Sequence, residues 1–133
     1  MELVKLTHEN LDREHICCAI SNNKDIQVIF FAVDNDRIVG IIDFRHTLND
    51  FLKDLGHCGY SVRPSERRKG FATEMLRQLL EIAKKTGMNE LHLSVERKNE
   101  PAVKTIIRNG GVYERSFEID GEQADIYRIA LSE

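Results

Sequence analysis

The sequence predicts an α/β domain, an α+β mixed central sheet with helices on both faces, and three observations lead there. β-rich runs and amphipathic segments alternate along the middle of the chain. Two such runs flank Asp34-Asn35-Asp36 and two more flank Asp120-Gly121, and each pair reads as a hairpin. Between them the order is strand, loop, helix, strand, helix, a βαβ unit whose two strands are expected to run parallel with a right-handed crossover. With 133 residues, 41% of them hydrophobic, the chain has the length of one domain and enough apolar residues for a core. A collagen-like or fully disordered chain is excluded.

The elements follow in order. Leu3 to Leu6 reads as a short strand. A helix opens near Thr7 or Asn10, runs through Leu11, Ile16, Cys17 and Ile20, and stops at Ser21-Asn22-Asn23. Val28 to Val33 and Arg37 to Phe44 form the first hairpin. Arg45 to Gly56 is long for a connection and is a candidate binding loop. Gly59 to Val62 is a strand stopped by Pro64. From Gly70 the apolar residues Ala72, Met75, Leu76, Leu79, Leu80 and Ala83 recur at helical spacing, with Glu74, Arg77, Glu81 and Lys84 on the other face. Gly87 ends that helix. Leu91 to Val95 alternates as a strand. Asn99, with Pro101 close behind, opens another helix that closes at Asn109-Gly110-Gly111. Val112 to Phe117 and Ala124 to Leu131 make the last hairpin.

Charge narrows the choice of partner. The 19 basic and 22 acidic residues give a formal charge of −3, so no overall field draws in nucleic acid or an anionic membrane, and any phosphate binding must be local. No window is apolar enough for a membrane span, and the start lacks the pattern of a leader peptide. Cys17, Cys18 and Cys58 are an odd set without disulfide-scaffold spacing. A cytoplasmic protein with reduced thiols is the expectation.

The chemistry concentrates in Gly59-Tyr60-Ser61-Val62-Arg63-Pro64-Ser65-Glu66-Arg67-Arg68-Lys69-Gly70-Phe71-Ala72-Thr73. A strand passes through a proline turn and three basic residues into a helix that starts on small residues. The first N–H groups of a helix lack partners and its dipole is positive there, so phosphate can approach the main chain. A solvated basic turn is the plain alternative. No G-x-x-x-x-G-K-[ST] and no G-x-G-x-x-G is present, which argues against a P-loop hydrolase and a dinucleotide-binding fold.

The remaining pattern, Arg67-x-x-Gly70-x-Ala72, resembles the [Q/R]-x-x-G-x-[G/A] signature of the GNAT N-acetyltransferase superfamily. A second signature, Asn99-x-x-Ala102 followed by Gly110-Gly111-Val112, stands at the matching place in the next helix. Together with Arg45-His46-x-Leu48-Asn49, these stretches are similar to a subgroup of bacterial acetyltransferases. The resemblance implies an acyl-CoA N-acyltransferase fold, a single domain over 1–133 with a shortened N-terminal region, and acetyl-CoA in the gap between the strands ending at Val62 and Val95. It implies that backbone N–H groups of Arg68, Lys69, Gly70, Phe71, Ala72 and Thr73, with Arg67 beside them, hold the diphosphate. The strand from Tyr60 to Val62 would pair with the pantetheine arm, a backbone N–H near Val62 would polarise the acetyl carbonyl, and Asn99, on the helix that carries Ala102, would bind near the thioester.

An amine acceptor imposes its own demand. With a pKa of about 10.4, roughly one amine in a few thousand is neutral at pH 7, so a base is useful. Glu96 at a strand end and His46 in the long loop are the candidates chosen, and His57 is considered beside them. The position where relatives carry a tyrosine acid is Ile106 here; Tyr113 lies beyond that helix. His8-Glu9 and His15 miss the H-E-x-x-H spacing, Cys17-Cys18 is not C-x-x-C, and no metal is expected. The reading is an N-acetyltransferase acting on a small-molecule or peptide amine, with no nucleic acid or membrane partner and a possible homodimer through the C-terminal hairpin. An acyl-CoA sensor without turnover and a protein for another phosphorylated ligand are the alternatives.

Overall fold

The computed structural model describes residues 1–5, 27–45 and 57–131. The expected helix of residues 7–20, Cys17 and Cys18, and most of the 45–56 loop, with His46, lie outside them. Among the described residues seven strands and two helices follow in the order β1 (Glu2–Lys5), β2 (Gln27–Asp34), β3 (Arg37–Arg45), β4 (Cys58–Val62), α1 (Phe71–Lys85), β5 (Glu90–Glu96), α2 (Glu100–Arg108), β6 (Val112–Ile119) and β7 (Glu122–Ala130). One 3-10 turn at Pro64–Glu66 links β4 to the basic segment. Both hairpins turn at the residues the sequence marks: Asn35 and Asp36 have φ of 52° and 62°, and Asp120 and Gly121 have 50° and 80°. Those positive angles match the right-handed twist of the flanking strands.

The α+β class holds, with one difference in the sheet. The described strands form two antiparallel ladders, β1-β2-β3-β4 and β5-β7-β6. The expected parallel ladder between β4 and β5 does not form. Each strand has an antiparallel partner on one edge only, β3 for β4 and β7 for β5, and their two remaining edges diverge instead of pairing. The two sheets meet where His57 donates its N–H to the His92 carbonyl at 2.6 Å. Beyond that junction they part, and Val62 and Val95 end up on the walls of one cleft.

Helix α1 fills the angle behind the cleft. Its Met75, Leu76, Leu79 and Ala83 are buried at spacings that place them on one helical face. That face packs with Ile42, Phe44, Leu91, Leu93 and Ile106 into one core. Close approach of the helix requires Gly40: a Cβ there would stand 2.6 Å from the Ser61 carbonyl oxygen and 3.0 Å from Met75 Sδ. At the other edge, Gln78 binds the backbone of β1, accepting from the Leu3 N–H at 3.0 Å and donating to the Met1 carbonyl at 2.9 Å.

Candidate active site

Strand β4 presents a free edge to the cleft. Arg45 donates to the His57 carbonyl and Arg63 to the Val39 carbonyl, so the residues bonded to β3 are the odd-numbered ones. In an antiparallel pair the alternate residues turn their N–H and C=O groups the other way. Because β4 is the last strand of its ladder, the backbone groups of Tyr60 and Val62 therefore face the cleft. Arg67 Nε already donates to the Val62 carbonyl at 3.2 Å, which leaves the Val62 N–H as the donor at the strand's end.

The start of α1 closes one end of the cleft. Gly70 caps it with φ of 83° and no side-chain cap bond, and the first helical bond is from Glu74 N–H to the Gly70 carbonyl at 3.2 Å. The N–H groups of Phe71, Ala72 and Thr73 consequently have no partner within the helix. Arg68, with φ of 66°, and Gly70 both lie in the left-handed region, a backbone turn that gathers N–H groups into a concavity. Nothing lies within 4 Å of the place a Gly70 Cβ would take, so the space above the cap is open.

The three basic residues before the cap have different fates. Arg67 is held on Val62. Lys69 Nζ is paired with Glu66 Oε2 at 2.9 Å and, unlike Arg67 and Arg68, does not line the cleft. The resemblance groups the three together, but the buried Glu66 carboxylate captures Lys69. That hydrogen bond, with the nearby Arg37 guanidinium at 3.3 Å, holds the Glu66 carboxyl below the usual range.

The opposite wall comes from β5 and α2. Asn99 caps α2 by accepting from the Ala102 N–H at 3.4 Å, which leaves its NH₂ donors for a ligand. Tyr60 spans the floor, with its hydroxyl 3.4 Å from the Ala102 carbonyl. Burial holds the Tyr60 phenol well above its usual range, so it stays protonated. Glu96 is exposed at the mouth. Its neighbour Arg97 anchors the strand end by a two-pronged bond to the buried Asp125, at 2.8 and 3.0 Å, and by its N–H to the Gln123 carbonyl.

The cleft encloses about 930 Å³. Of the predicted residues, Tyr60, Val62, Arg67, Arg68, Gly70, Phe71, Ala72 and Thr73 line it on one side, and Glu96, Asn99 and Ala102 on the other. His57 is buried at the junction of the sheets and lines no part of it, and Tyr113 stands outside it, bonded to Ser116. Ile106 is buried and forms part of the floor. Sequence reasoning missed Glu66, Lys104, Thr105 and Arg108. Positions 104 and 108 follow Glu100 at steps of four, a face-sharing pattern that could have found them. Among the described residues no group of three or more His, Cys, Asp or Glu is placed to hold a metal ion, and no helix is long and apolar enough to cross a membrane.

The family model for "Acetyltransferase (GNAT) family" matches residues 4–110. The chain belongs to the GNAT acetyltransferase family. It is an acyltransferase by that membership, and solved GNAT structures share its fold. Spermidine/spermine N-acetyltransferase SpeG from Vibrio cholerae superposes with a TM-score of 0.75 at 18% identity, covering 98% of this chain and 92% of that one. The Salmonella typhimurium protein yncA, solved with its cofactor acetyl-CoA, gives 0.68 at 16% identity over 80% of this chain and 66% of the other. A GNAT-family acetyltransferase from Streptococcus pneumoniae gives 0.67 at 21%, over 80% and 67%. At these identities the likeness to this GNAT chain is one of fold. No curated protein matches the sequence.

Proposed function

We propose that this GNAT chain transfers the acetyl group of acetyl-CoA directly to a primary amine, and that the cleft between β4 and β5 is the site. One observation carries the reading: an anion cradle at the start of α1 is continuous with a free strand edge on β4. A ligand with a phosphate head and an amide-bearing arm is complementary to that pair of features. Acetyl-CoA supplies the thioester-activated acetyl group when bound.

Each part of the chain then has a task. The unpartnered N–H groups of Phe71, Ala72 and Thr73, with Arg68 above them, bind the diphosphate; each such charge-assisted bond contributes about 1.5–3 kcal/mol net. The Tyr60 and Val62 backbone pairs with the amides of the arm as a further strand would. The Val62 N–H donates to the acetyl oxygen, where negative charge develops as the amine attacks; the C–S bond then breaks, the amide forms, and coenzyme A leaves as its thiolate, which takes a proton from water. The Asn99 NH₂ orients the arm from the other wall. Glu96 takes the proton from the incoming ammonium, directly or through water, a role worth roughly 10² to 10⁴ in rate. His46, the other candidate base, lies outside the described residues.

The acceptor proposed is a small cationic amine. Glu96 and Glu100 both line the cleft and supply negative charge for it, and the Vibrio cholerae relatives of this fold are named for spermidine acetylation. A second reading, an acyl-CoA sensor, is favoured by buried Ile106, the position that carries a tyrosine acid in many relatives. Two measurements separate them. Acetyl-CoA and CoA should raise the melting temperature while ATP and NAD do not, since a ligand that binds only the native state stabilises by mass action. Thiol release over a panel of polyamines and peptide amines should then show turnover. Equal stabilisation by ATP would overturn the acetyl-CoA reading, and an inert panel would leave the sensor.

A further inference from the structure

The second wall of the cleft carries cations that the diphosphate cradle does not use. Glu100, Lys104 and Arg108 stand four residues apart on α2 and all line the cleft. Just past them, Asn109 Nδ2 donates to the Thr73 carbonyl at 3.2 Å, which pins the end of α2 to the first turn of α1. The stripe therefore runs from Glu100, beside Asn99 at the cap, to Arg108 beside the phosphate cradle.

Lys104 and Arg108 are exposed, and neither has a hydrogen-bond or ion-pair partner among the described residues. Arg67 and Lys69, by contrast, are engaged by Val62 and Glu66. Two like charges one helical turn apart repel, and Lys104 is too far from the helix end for the dipole to account for it. A bound anion would relieve that repulsion. The diphosphate already satisfies the N–H groups of α1, so this second set of donors suits a further phosphate.

Coenzyme A has one, on the ribose 3′ oxygen. Resting on the acetyl-CoA reading above, we propose that Lys104 and Arg108 form a second phosphate subsite that recognises the 3′-phosphate and selects coenzyme A over its dephospho form. The subsite determines cosubstrate specificity and leaves the acetyl-transfer chemistry untouched.

Calorimetric titration of CoA and dephospho-CoA into the full chain and into a Lys104→Gln/Arg108→Gln variant tests this. The wild type should bind CoA about tenfold more tightly, the equivalent of about 1.4 kcal/mol. The variant, whose exposed substitutions leave the core intact, should bind both ligands equally by losing affinity for CoA alone. Equal affinity of the wild type for the two ligands would overturn the subsite while leaving the acetyl-CoA reading in place. Parallel weakening of both ligands in the variant would also overturn it, because the cations would then act on the diphosphate. Binding of neither ligand by the wild type would remove the parent reading and this one together.

Discussion

His57 and His92 are bonded in both directions: the His57 N–H donates to the His92 carbonyl at 2.6 Å, and the His92 N–H donates to His57 Nδ1 at 2.8 Å. The two rings also meet edge to face with centroids 5.4 Å apart. This pair ties the two ladders together at the closed end of the cleft. Nδ1 can accept only when it carries no proton, so the junction requires neutral His57.

Stability should therefore fall with acid in a defined window. Burial, with the neighbouring His92 and Arg45 charges opposing a further positive one, lowers the His57 pKa from 6.5 to about 4. Between those values the unfolded chain binds the proton and the folded chain does not, so stability rises with pH across the window and is lost as pH falls through it. The loss is at most about 3.5 kcal/mol at about 1.4 kcal/mol per pH unit. Urea midpoints at pH 7 and pH 4.5 should drop further in the wild type than in His57→Asn. Equal drops would remove His57 from the account.

Gly70→Val should weaken CoA binding by more than tenfold. The open space above the cap is where phosphate would sit, and a branched side chain fills it. The positive φ also strains valine, at a cost of about 1–3 kcal/mol. Gly70→Asn, which tolerates the left-handed region, separates the two effects: its melting temperature should stay near wild type while its affinity still falls. Wild-type affinity in both variants would show that no phosphate approaches Gly70.

Gly40→Ala should destabilise the fold by about 1–3 kcal/mol, the range for overpacking. Its added methyl meets the Ser61 carbonyl, which is backbone and has little freedom to move. Chemical denaturation measures the change. A neutral result would mean that β4 and α1 can both shift away from Gly40 without loss.

Glu96→Gln should lower kcat about a hundredfold and leave the acetyl-CoA dissociation constant unchanged. Steady-state kinetics with the best amine, together with a cofactor titration, separates the two effects. An unchanged kcat would assign the proton to another group.

Much of this site was legible because its signals are local. The Asp34 to Asp36 and Asp120-Gly121 turns, the apolar stripe of α1, and the Gly70 and Asn99 caps each depend on neighbours within a few residues, and they lie where the sequence puts them. What the sequence concealed depends on distant partners. A βαβ order invites a parallel pair, yet β4 ends the ladder built on β3 and β5 ends the ladder built on β7, and the two facing edges part beyond the His57 to His92 contact. Lys69 looks equivalent to Arg67 and Arg68, and although its partner Glu66 is only three residues away, the burial of that carboxylate beside Arg37 is set by the fold. The cations of α2 reach the cleft through the packing of α2 beside α1, where Asn109 docks on Thr73 across 36 residues of chain.

The free edge of β4 also bears on strand pairing between molecules. An unpaired row of N–H and C=O groups is a template onto which any extended chain can zip, the usual first step toward aggregation. Here that edge is recessed between two ladders, and Arg67 sets its guanidinium on the Val62 carbonyl at the open end. The arginine that begins the family signature thus occupies the carbonyl acceptor at the end of that edge.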